Sequence, residues 1–465
     1  MDITTGQKIE ADANNMNQRD TGVTRRGALG ATAVAAAAAL VRPGTLRAQS
    51  ANNKVVLGLV GAGGRGTVLG GNFAKVENTE FKYVCEVNAE RGEALMKKLE
   101  EIHGKRPQRV TDMRRVFEDK DVDAVVIATP EHWHALATVW ACQAGKDVYV
   151  EKCPSLTIWE SRKMIEAARK YNRIVDVGFE NRSAPYAITA RDYIANGGLG
   201  KVQLIKVYNM LPGPHEFKAQ PDGTPPSGLE WDLFLGPAPE RPYNPGRVRG
   251  WSNFWDYGGG TLSGDASHQF DLVRLAMKEP AAPLAVSTSG GRWEFHDGRE
   301  IPDTQIVTYE YPEMIMTCEN TTFTRVMRKS NAEERMGSKW PFWPENGERI
   351  EIYGTERMMY LGRHGMGWQV LEGEGKIVAQ EKGYFPDKWH QPNFIDCVRS
   401  RKMPNADIEK AHQSAIVVHL GNVSYRVGCK KLHFDSKVER FTNSEEANHY
   451  LKPAYRKDYR IPDTV

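Results

Sequence analysis

A glycine-rich turn between an apolar strand and a helix is the feature that most constrains the fold of this chain. Residues 54–60 (KVVLGLV) predict a buried strand, and residues 61–66 (GAGGRG) follow it directly. In such a G-x-G-x-x-G unit the glycines allow a tight turn, a close approach of the backbone to a pyrophosphate, and close helix–strand packing. The N-terminus of the next helix stabilises the phosphate charge. The turn therefore predicts a dinucleotide site. Its cofactor-binding candidates are Gly61, Gly63, Gly64, Arg65 and Gly66.

An acidic residue ends the next apolar run. Residues 81–87 (FKYVCEV) predict a second strand, in which Glu86 lies twenty positions after Gly66. A carboxylate there accepts hydrogen bonds from ribose hydroxyls and repels a 2′-phosphate, so NAD is favoured over NADP. Arg91 is a further cofactor-binding candidate and could weaken that preference. The alternative is that Glu86 is a solvated carboxylate at a strand end.

The spacing of the apolar runs predicts two kinds of sheet. Up to about residue 178 short apolar runs alternate with helical stretches, whereas later strand-like runs lack regular helices between them. This predicts an α/β protein with an N-terminal Rossmann doubly wound parallel sheet. A C-terminal α+β domain with a large, open, mainly antiparallel sheet should follow. The predicted divisions are a signal peptide (1–48), a cofactor domain (49–178), a substrate-binding and oligomerisation domain (179–450) and a C-terminal arm (451–465).

The first 48 residues indicate export. Residues 24–29 (TRRGAL) form a twin-arginine pattern, an alanine-rich stretch follows at 30–41, and a small-residue cleavage site ends at Ala48. Such signals are removed, and we expect a periplasmic or exported protein that folds around its cofactor before export. A retained membrane anchor is the alternative. The stretch is short for one, since a span needs about 20 apolar residues, and we expect no stable membrane span.

Composition excludes several classes of protein. The net charge is +3 and no basic block follows the leader, so no nucleic-acid partner is expected. The six cysteines form no C-x-x-C pair, which argues against a zinc site and a redox dithiol.

The residues after the predicted strand at 124–129 are further cofactor-binding candidates. Ligands bind at the carboxyl ends of parallel strands, and Thr129, His132 and His134 follow that strand. The His-x-His spacing could suggest a metal, but no cysteine or carboxylate cluster accompanies it, so no metal is expected. Helix capping by one ring is the alternative.

Glu151 and Lys152 follow the apolar run 147–150. A lysine at this edge, facing a nicotinamide, can stabilise an alkoxide, and the adjacent glutamate can tune it. Both are cofactor-binding candidates, although their spacing alone also fits a solvated ion pair.

Together, GAGGRG at 61–66, Ala-Thr-Pro at 128–130 and Glu-Lys-Cys-Pro at 151–154 resemble the Gfo/Idh/MocA oxidoreductase family. That family has Ala-Thr-Pro and Glu-Lys-Pro loops at the matching places, and Cys153 is inserted here as in many exported bacterial members. Residues 258–271 (GGGTLSGDASHQFD) resemble its second catalytic segment. The resemblance covers essentially the whole mature chain and implies a homodimer or homotetramer that associates through the open sheet.

The resemblance also implies the chemistry: hydride transfer between NAD(P) and a ring hydroxyl or ketone of a sugar, glycoside or cyclitol. His268 would act as general base and Lys152 would stabilise the alkoxide. Most members place an acidic residue four positions before the histidine. Here Gly264 stands there, and Asp265, three positions before His268, is the third catalytic candidate. Without the resemblance, an ordinary buried histidine is the alternative for His268.

The Pro/Gly-rich segment 212–257 contains aromatic and charged residues that suit a sugar site, although packing is the alternative for most of its tryptophans. The substrate-binding candidates are Arg182, Trp231, Trp255, Tyr257 and His390.

Export also implies a tightly held cofactor, because the periplasm offers no obvious pool of NAD. A redox-neutral glycosidase, resembling the NAD-dependent α-N-acetylgalactosaminidases of the same superfamily, is the alternative function. That group tends to lack the lysine of the Glu-Lys-Pro loop, so Lys152 favours a dehydrogenase. A non-catalytic NAD- or sugar-binding protein on the same scaffold is a third hypothesis, and the presence of Lys152 and His268 argues against it.

Overall fold

Six parallel strands form the first sheet of the structure, a computed structural model that describes residues 54–212, 217, 219–456 and 458–465. The predicted signal peptide lies outside these residues. The strands are β1 Val55–Val60, β2 Thr79–Cys85, β3 Gln108–Val110, β4 Ala124–Ile127, β5 Asp147–Val150 and β6 Val175–Val177. Their order is β3-β2-β1-β4-β5-β6, so the strand order reverses between β1 and β4. Ligands bind at such a switch point in doubly wound sheets.

Five helices cover the two faces of this sheet: α1 Gly64–Phe73, α2 Ala89–His103, α3 Arg114–Glu118, α4 His134–Gln143 and α5 Ile158–Lys170. Helix α5 begins with a capping box, in which Thr157 and Glu160 each bond to the other's backbone. Its buried residues include Ile158, Met164 and Ile165, so the helix packs with one apolar side inward.

The second sheet has ten strands in the order β14-β13-β12-β11-β7-β10-β9-β8-β15-β16. Its pairs are antiparallel except β7 with β10. The strands are β7 Val202–Met210, β8 Ala285–Gly291, β9 Thr304–Glu310, β10 Ile315–Thr321, β11 Arg349–Gly354, β12 Met358–Gly362, β13 Gly367–Glu372, β14 Lys376–Glu381, β15 Leu432–Asp435 and β16 Arg440–Phe441. The predicted combination of a parallel and a mainly antiparallel sheet is confirmed.

Helices cover one face of the second sheet, where Phe270, Val307 and Ile416 share a buried core. The opposite face is open, and Ile306 and Ile315 are exposed on it. The remaining helices are α6 Pro185–Ala195, α7 Trp231–Leu235, α8 Pro245–Arg249, α9 Ser267–Ala276, α10 Ala332–Arg335, α11 Asp387–Ser400, α12 Ile408–Arg426 and α13 Glu445–Asn448. No helix within the described ranges is both long and apolar enough to cross a membrane.

The predicted C-terminal arm packs back onto the first sheet's helices. Tyr459, Ile461 and Val465 are buried in the same apolar cluster as residues of α4 and α5. Two lysines of α5 bind the backbone of this arm. Lys163 Nζ donates to the carbonyl of Asp463 (2.6 Å), and Lys170 Nζ donates to that of Val465 (2.5 Å).

Arg182, a substrate-binding candidate, lies instead in a buried ion-pair group. Its side chain is 1% exposed, and it donates to Asp271 Oδ1 of α9 (2.7 Å) and to Glu279 Oε1 (2.5 Å). The ion pair with Asp271 therefore joins the segment after β6 to helix α9. The sequence could not show this, because both acidic partners lie about ninety residues away.

We expect Arg182→Ala to lower the free energy of unfolding by about 3–5 kcal/mol, because it leaves the carboxylate of Asp271 buried without its cation. Denaturant unfolding followed by circular dichroism measures this loss. The matched control is Arg191→Ala, whose part-exposed ion pair with Asp192 should contribute less than about 1 kcal/mol. Equal stability of the two variants would contradict a structural role for Arg182.

Candidate active site

The glycine turn between β1 and α1 depends on two close backbone approaches. Gly61 has φ +94°, and a Cβ there would lie 2.8 Å from the carbonyl of Ala128. A Cβ on Gly66 would lie 1.9 Å from the oxygen of Gly61. Gly63 and Gly64 face open space, with nothing within 4 Å of an added Cβ. The turn therefore leaves room before the free backbone N–H groups of α1, which is the arrangement that binds phosphate.

A cavity of about 560 Å³ begins at this turn and extends to helix α9 of the second half of the chain. That volume lies within the range of cofactor and small-molecule sites. The predicted residues that line it are Gly61, Gly63, Gly64, Arg65, Glu86, Arg91, Thr129, His134, Glu151, Lys152, Asp265 and His268. The structure thus brings the three catalytic candidates and most cofactor-binding candidates to one cavity. Gly66 lies behind the turn and acts by packing.

Glu86 is fixed at the end of β2 by backbone donors. Its carboxylate accepts from the N–H groups of Ala62 (2.5 Å) and Asn88 (2.9 Å). It lines the cavity beside the glycine turn. This geometry suits the hydrogen bond to a ribose hydroxyl that the sequence predicts.

Arg65 is held by carboxylates. Its Nε donates to Glu151 Oε1 (2.7 Å) and its Nη1 to Asp387 Oδ2 (3.3 Å). Glu151 also accepts from the backbone N–H of Lys152 (3.2 Å). The Glu151–Arg65 pair therefore connects the first turn of α1 to the loop that carries Lys152.

Lys152 reaches across to the segment before α9, where its Nζ donates to the carbonyl of Gly264. This carbonyl belongs to a π-helical turn, Leu262–Ala266, which leads directly into α9. Such wide turns occur frequently at functional sites. The π turn contains Asp265, and His268 is the second residue of α9.

Asp265 lines the cavity, and one oxygen of its carboxylate accepts from two basic side chains. Its Oδ1 accepts from Arg363 Nη2 (2.8 Å) and from Lys329 Nζ (3.4 Å). Burial opposes ionisation of Asp265, but the positive charges of Arg363, Lys329 and Lys152 outweigh it and hold the pKa of that carboxyl well below its usual range. The role of Asp265 as a catalytic residue stays a prediction.

The carboxylate beside His268 is Glu180, which sequence reasoning missed. Glu180 is 2% exposed. Its Oε2 lies 3.4 Å from His268 Nδ1 and its Oε1 lies 3.0 Å from His364 Nε2. The two imidazole rings are 4.5 Å apart between centroids, and all three residues line the cavity. Burial lowers the pKa of His268 well below its ordinary value, and the Glu180 carboxylate opposes this.

The position of Glu180 offered one usable signal, because it follows β6 at the same carboxyl edge as Glu86 and Glu151. His364 offered no such signal, since it comes from the loop after β12.

The ligand atoms of Glu180, His268 and His364 lie within 4.8 Å of one another, the one such group found in the part of the chain that the structure describes. Lys152 and Arg363 add positive charge beside it, which opposes a divalent cation, so we interpret it as a carboxylate at ion-pair distance from two imidazoles.

His134 connects two loops of the site. Its Nδ1 lies 2.7 Å from the carbonyl of Cys153 and its Nε2 lies 2.9 Å from that of Thr129. His132 points away from the cavity, and its Nε2 lies 2.9 Å from the carbonyl of Phe234. Both rings face carbonyl groups, so neither accepts from the N–H groups of α4, and the capping alternative is wrong. His132 also supports the wall of the cavity rather than lining it.

The other four substrate-binding candidates do not line the cavity. Tyr257 is buried against His132, and Trp231 stacks on Phe234 with ring centroids 5.1 Å apart. Trp255 packs on the guanidinium of Arg426, and His390 is buried between Ser183 Oγ (2.9 Å) and the carbonyl of Val177 (3.0 Å). These side chains therefore contact other protein groups in place of the cavity.

The aromatic residues that do reach the cavity near its catalytic candidates include Trp251 and Phe385, and Arg335 lies there too. Trp251 comes from the predicted aromatic loop. Phe385 and Arg335 come from the second sheet's connections, which no sequence pattern connected to the site.

Two family models match this chain. The model described as oxidoreductase family, NAD-binding Rossmann fold (GFO_IDH_MocA) matches residues 55–179. The model for the same family's C-terminal alpha/beta domain matches residues 213–322 and 356–461.

Curated relatives share short stretches with it. The chain is 29% identical to 1,5-anhydro-D-fructose reductase of Ensifer adhaerens (50% of this chain, 60% of that protein). It is 28% identical to levoglucosan dehydrogenase of Pseudarthrobacter phenanthrenivorans (38% of each) and 25% identical to myo-inositol 2-dehydrogenase of Thermotoga maritima (34% and 46%). The matched parts thus span between 38% and 60% of these relatives' lengths.

Among solved structures, a levoglucosan dehydrogenase in complex with NADH and levoglucosan has a TM-score of 0.59 and 18% identity. The match covers 82% of this chain and 99% of that one. GenD2 from gentamicin A biosynthesis, in complex with NAD, has a TM-score of 0.59 and 19% identity over 82% and 97%. At these identities the likeness shows the fold.

Proposed function

Since this chain belongs to the Gfo/Idh/MocA family of oxidoreductases, we propose that it transfers a hydride between NAD and a ring hydroxyl or ketone of a sugar, glycoside or cyclitol. One observation carries the proposal: Lys152 and His268, which lie 116 positions apart, line the same cavity as the glycine turn. The three relatives named above, a reductase and two dehydrogenases, support a polyhydroxylated ring as the substrate.

The residues of the turn fit a dinucleotide. The open space at Gly63 and Gly64 before α1 suits the pyrophosphate, and Glu86 suits the ribose of NAD rather than NADP. When bound, the nicotinamide supplies the chemistry of hydride transfer. His268 takes the proton from the reacting hydroxyl during oxidation and returns it during reduction, and Lys152 stabilises the negative charge that develops on that oxygen.

We expect Lys152→Ala and His268→Ala to slow reduction of bound cofactor by at least about 100-fold, since each removes an acid–base or charge-stabilising group. NAD affinity should change little in His268→Ala. The rate is followed by nicotinamide absorbance with levoglucosan, 1,5-anhydro-D-fructose, myo-inositol and a set of glycosides. His433→Ala and Lys437→Ala, both exposed, are the matched controls.

Full activity of both variants would reject the assignment of Lys152 and His268 as catalytic residues. Cleavage of a glycoside with no net change in the cofactor would establish the redox-neutral glycosidase, an alternative that the named relatives do not favour.

We also propose that the cofactor remains bound between turnovers. The loop before α7 crosses onto the first half of the chain, where Gly228 accepts from the N–H of Ala89 (2.8 Å). The C-terminal arm holds α7, which follows this loop: Arg456 Nη1 and Tyr459 Oη donate to Asp232 (2.7 and 3.2 Å). Tyr459 lines the cavity, so loop and arm together form one of its walls.

The double variant Arg456→Ala/Tyr459→Ala should release the cofactor at least about 10-fold faster, because a wall of the cavity loses its attachment and one of its rings. A chase of bound NADH fluorescence measures the rate. Arg460→Ala, an exposed neighbour, should release it at the wild-type rate. An unchanged rate in the double variant would show that the arm does not retain the cofactor.

We propose export through the twin-arginine pathway, which the motif at 24–29 supports. Arg25→Lys/Arg26→Lys should leave the protein in the cytoplasm, whereas the wild type should be recovered from the periplasm with an N-terminus near residue 49. Cell fractionation with N-terminal sequencing decides between these outcomes, and equal export of the two chains would reject the proposal.

We also propose that the protein forms a homodimer or homotetramer through the open sheet. Light scattering of the purified protein tests this.

A further inference from the structure

We propose that Glu180 is a positioning residue that sets the proton affinity of His268, and that His364 competes with His268 for that same carboxylate. The inference rests on the proposed function, in which His268 exchanges a proton with the substrate.

The position of Glu180 supports this role. It begins the turn Glu180–Ser183 after β6 and places its carboxylate between two imidazoles, 3.4 Å from His268 Nδ1 and 3.0 Å from His364 Nε2. His268 also lines the cavity. Because Nδ1 faces Glu180, Nε2 is the nitrogen that remains for a hydroxyl in the cavity. A carboxylate on one imidazole nitrogen fixes the ring's orientation and tautomer for proton transfer at the other.

The other nearby acid cannot take this role in the observed geometry. Asp265 lies three positions before His268, but its carboxylate accepts from Arg363 and Lys329. Among the described residues, Glu180 is the acid within ion-pair distance of His268.

The charges that face His268 come from three places in the fold. Lys152 follows β5, Arg363 and His364 follow β12, and Glu180 follows β6. The three basic residues and burial all lower the pKa of His268, and Glu180 is the group among them that raises it. A buried imidazole in such surroundings would be a weak base without the carboxylate.

The proton balance follows from this arrangement. Oxidation of the substrate breaks its O–H and C–H bonds and forms a carbonyl: the proton bonds to His268 Nε2, and bound NAD would accept the hydride. Glu180 then offsets the charge of the imidazolium without taking the proton itself. One carboxylate offsets one imidazolium, so a proton held on His364 makes protonation of His268 less favourable.

The test is a substrate-free titration of each histidine by hydrogen–deuterium exchange at the imidazole C2 position, read by mass spectrometry. Trypsin places His268 alone in peptide 250–274 and His364 alone in peptide 364–376, so the two midpoints are read separately. Glu180→Gln should lower the His268 midpoint by about 1 pH unit or more. Glu180→Asp should restore part of it, and His364→Gln should raise it.

Several outcomes would overturn the proposal. One is a His268 midpoint that Glu180→Gln leaves unchanged or raises; another is a midpoint that His364→Gln lowers. Exchange that is flat with pH in the wild type, and that titrates once EDTA has removed a metal, would assign the three residues to a metal ion instead. His433→Gln, an exposed control, should leave the His268 midpoint unchanged.

The proposal predicts the direction in which Glu180→Asp and His364→Gln shift the His268 midpoint. It therefore stays testable even where Glu180→Gln fails to fold. Failure of the proposed function is distinguishable from failure of this inference. It would appear as full activity of the Lys152→Ala and His268→Ala variants, whereas the exchange midpoints are measured with no substrate present.

Discussion

The loops of the candidate active site are held by glutamates that lie buried along the carboxyl edge of the first sheet. A buried carboxylate without a partner is costly, so each of these residues must bind donors from another part of the chain. Glu86 binds the backbone of the glycine turn, Glu151 binds Arg65, and Glu180 faces two histidines. Glu131 accepts from Ser263 Oγ (2.7 Å) and from the N–H of Gly259 (3.0 Å). Through these bonds one sheet edge positions both the cofactor turn and the segment before α9.

The acids around the cavity differ in the pKa of their carboxyl groups, because their surroundings differ. Burial raises the pKa of Glu131 to about 7, although Ser263, Lys152 and Gly259 oppose it. Asp265, paired with Arg363, keeps its charge far below neutral pH. The cavity thus contains one acid, Glu131, whose pKa is raised to about 7, and another, Asp265, whose pKa is well below its usual range. Sites that carry out proton transfer commonly show such separated pKa values.

The sequence predicted the parts of this site that local chain geometry determines. The turn at 61–66, Glu86 and Lys152 all follow a strand directly, so their places at the sheet edge follow from the strand itself. It could not show which side of a loop faces the cavity. Trp231, Trp255 and Tyr257 have the composition of a sugar site but pack against other side chains and do not line the cavity. Glu180 and His364 meet across 184 positions, and Arg182 meets Asp271 across 89, so only the tertiary fold reveals these pairs.

Tyr459, which forms part of one cavity wall, is made long after the glycine turn when the chain is synthesised. A ribosome adds roughly 5–20 residues per second, and the interval from Gly66 to Tyr459 is 393 positions (459 − 66). A growing chain therefore carries the phosphate-binding turn for roughly 20–80 s before Tyr459 is made. During that interval the chain lacks the wall that Tyr459 contributes. Retention of the cofactor by that wall, as proposed above, therefore begins only after Tyr459 is made.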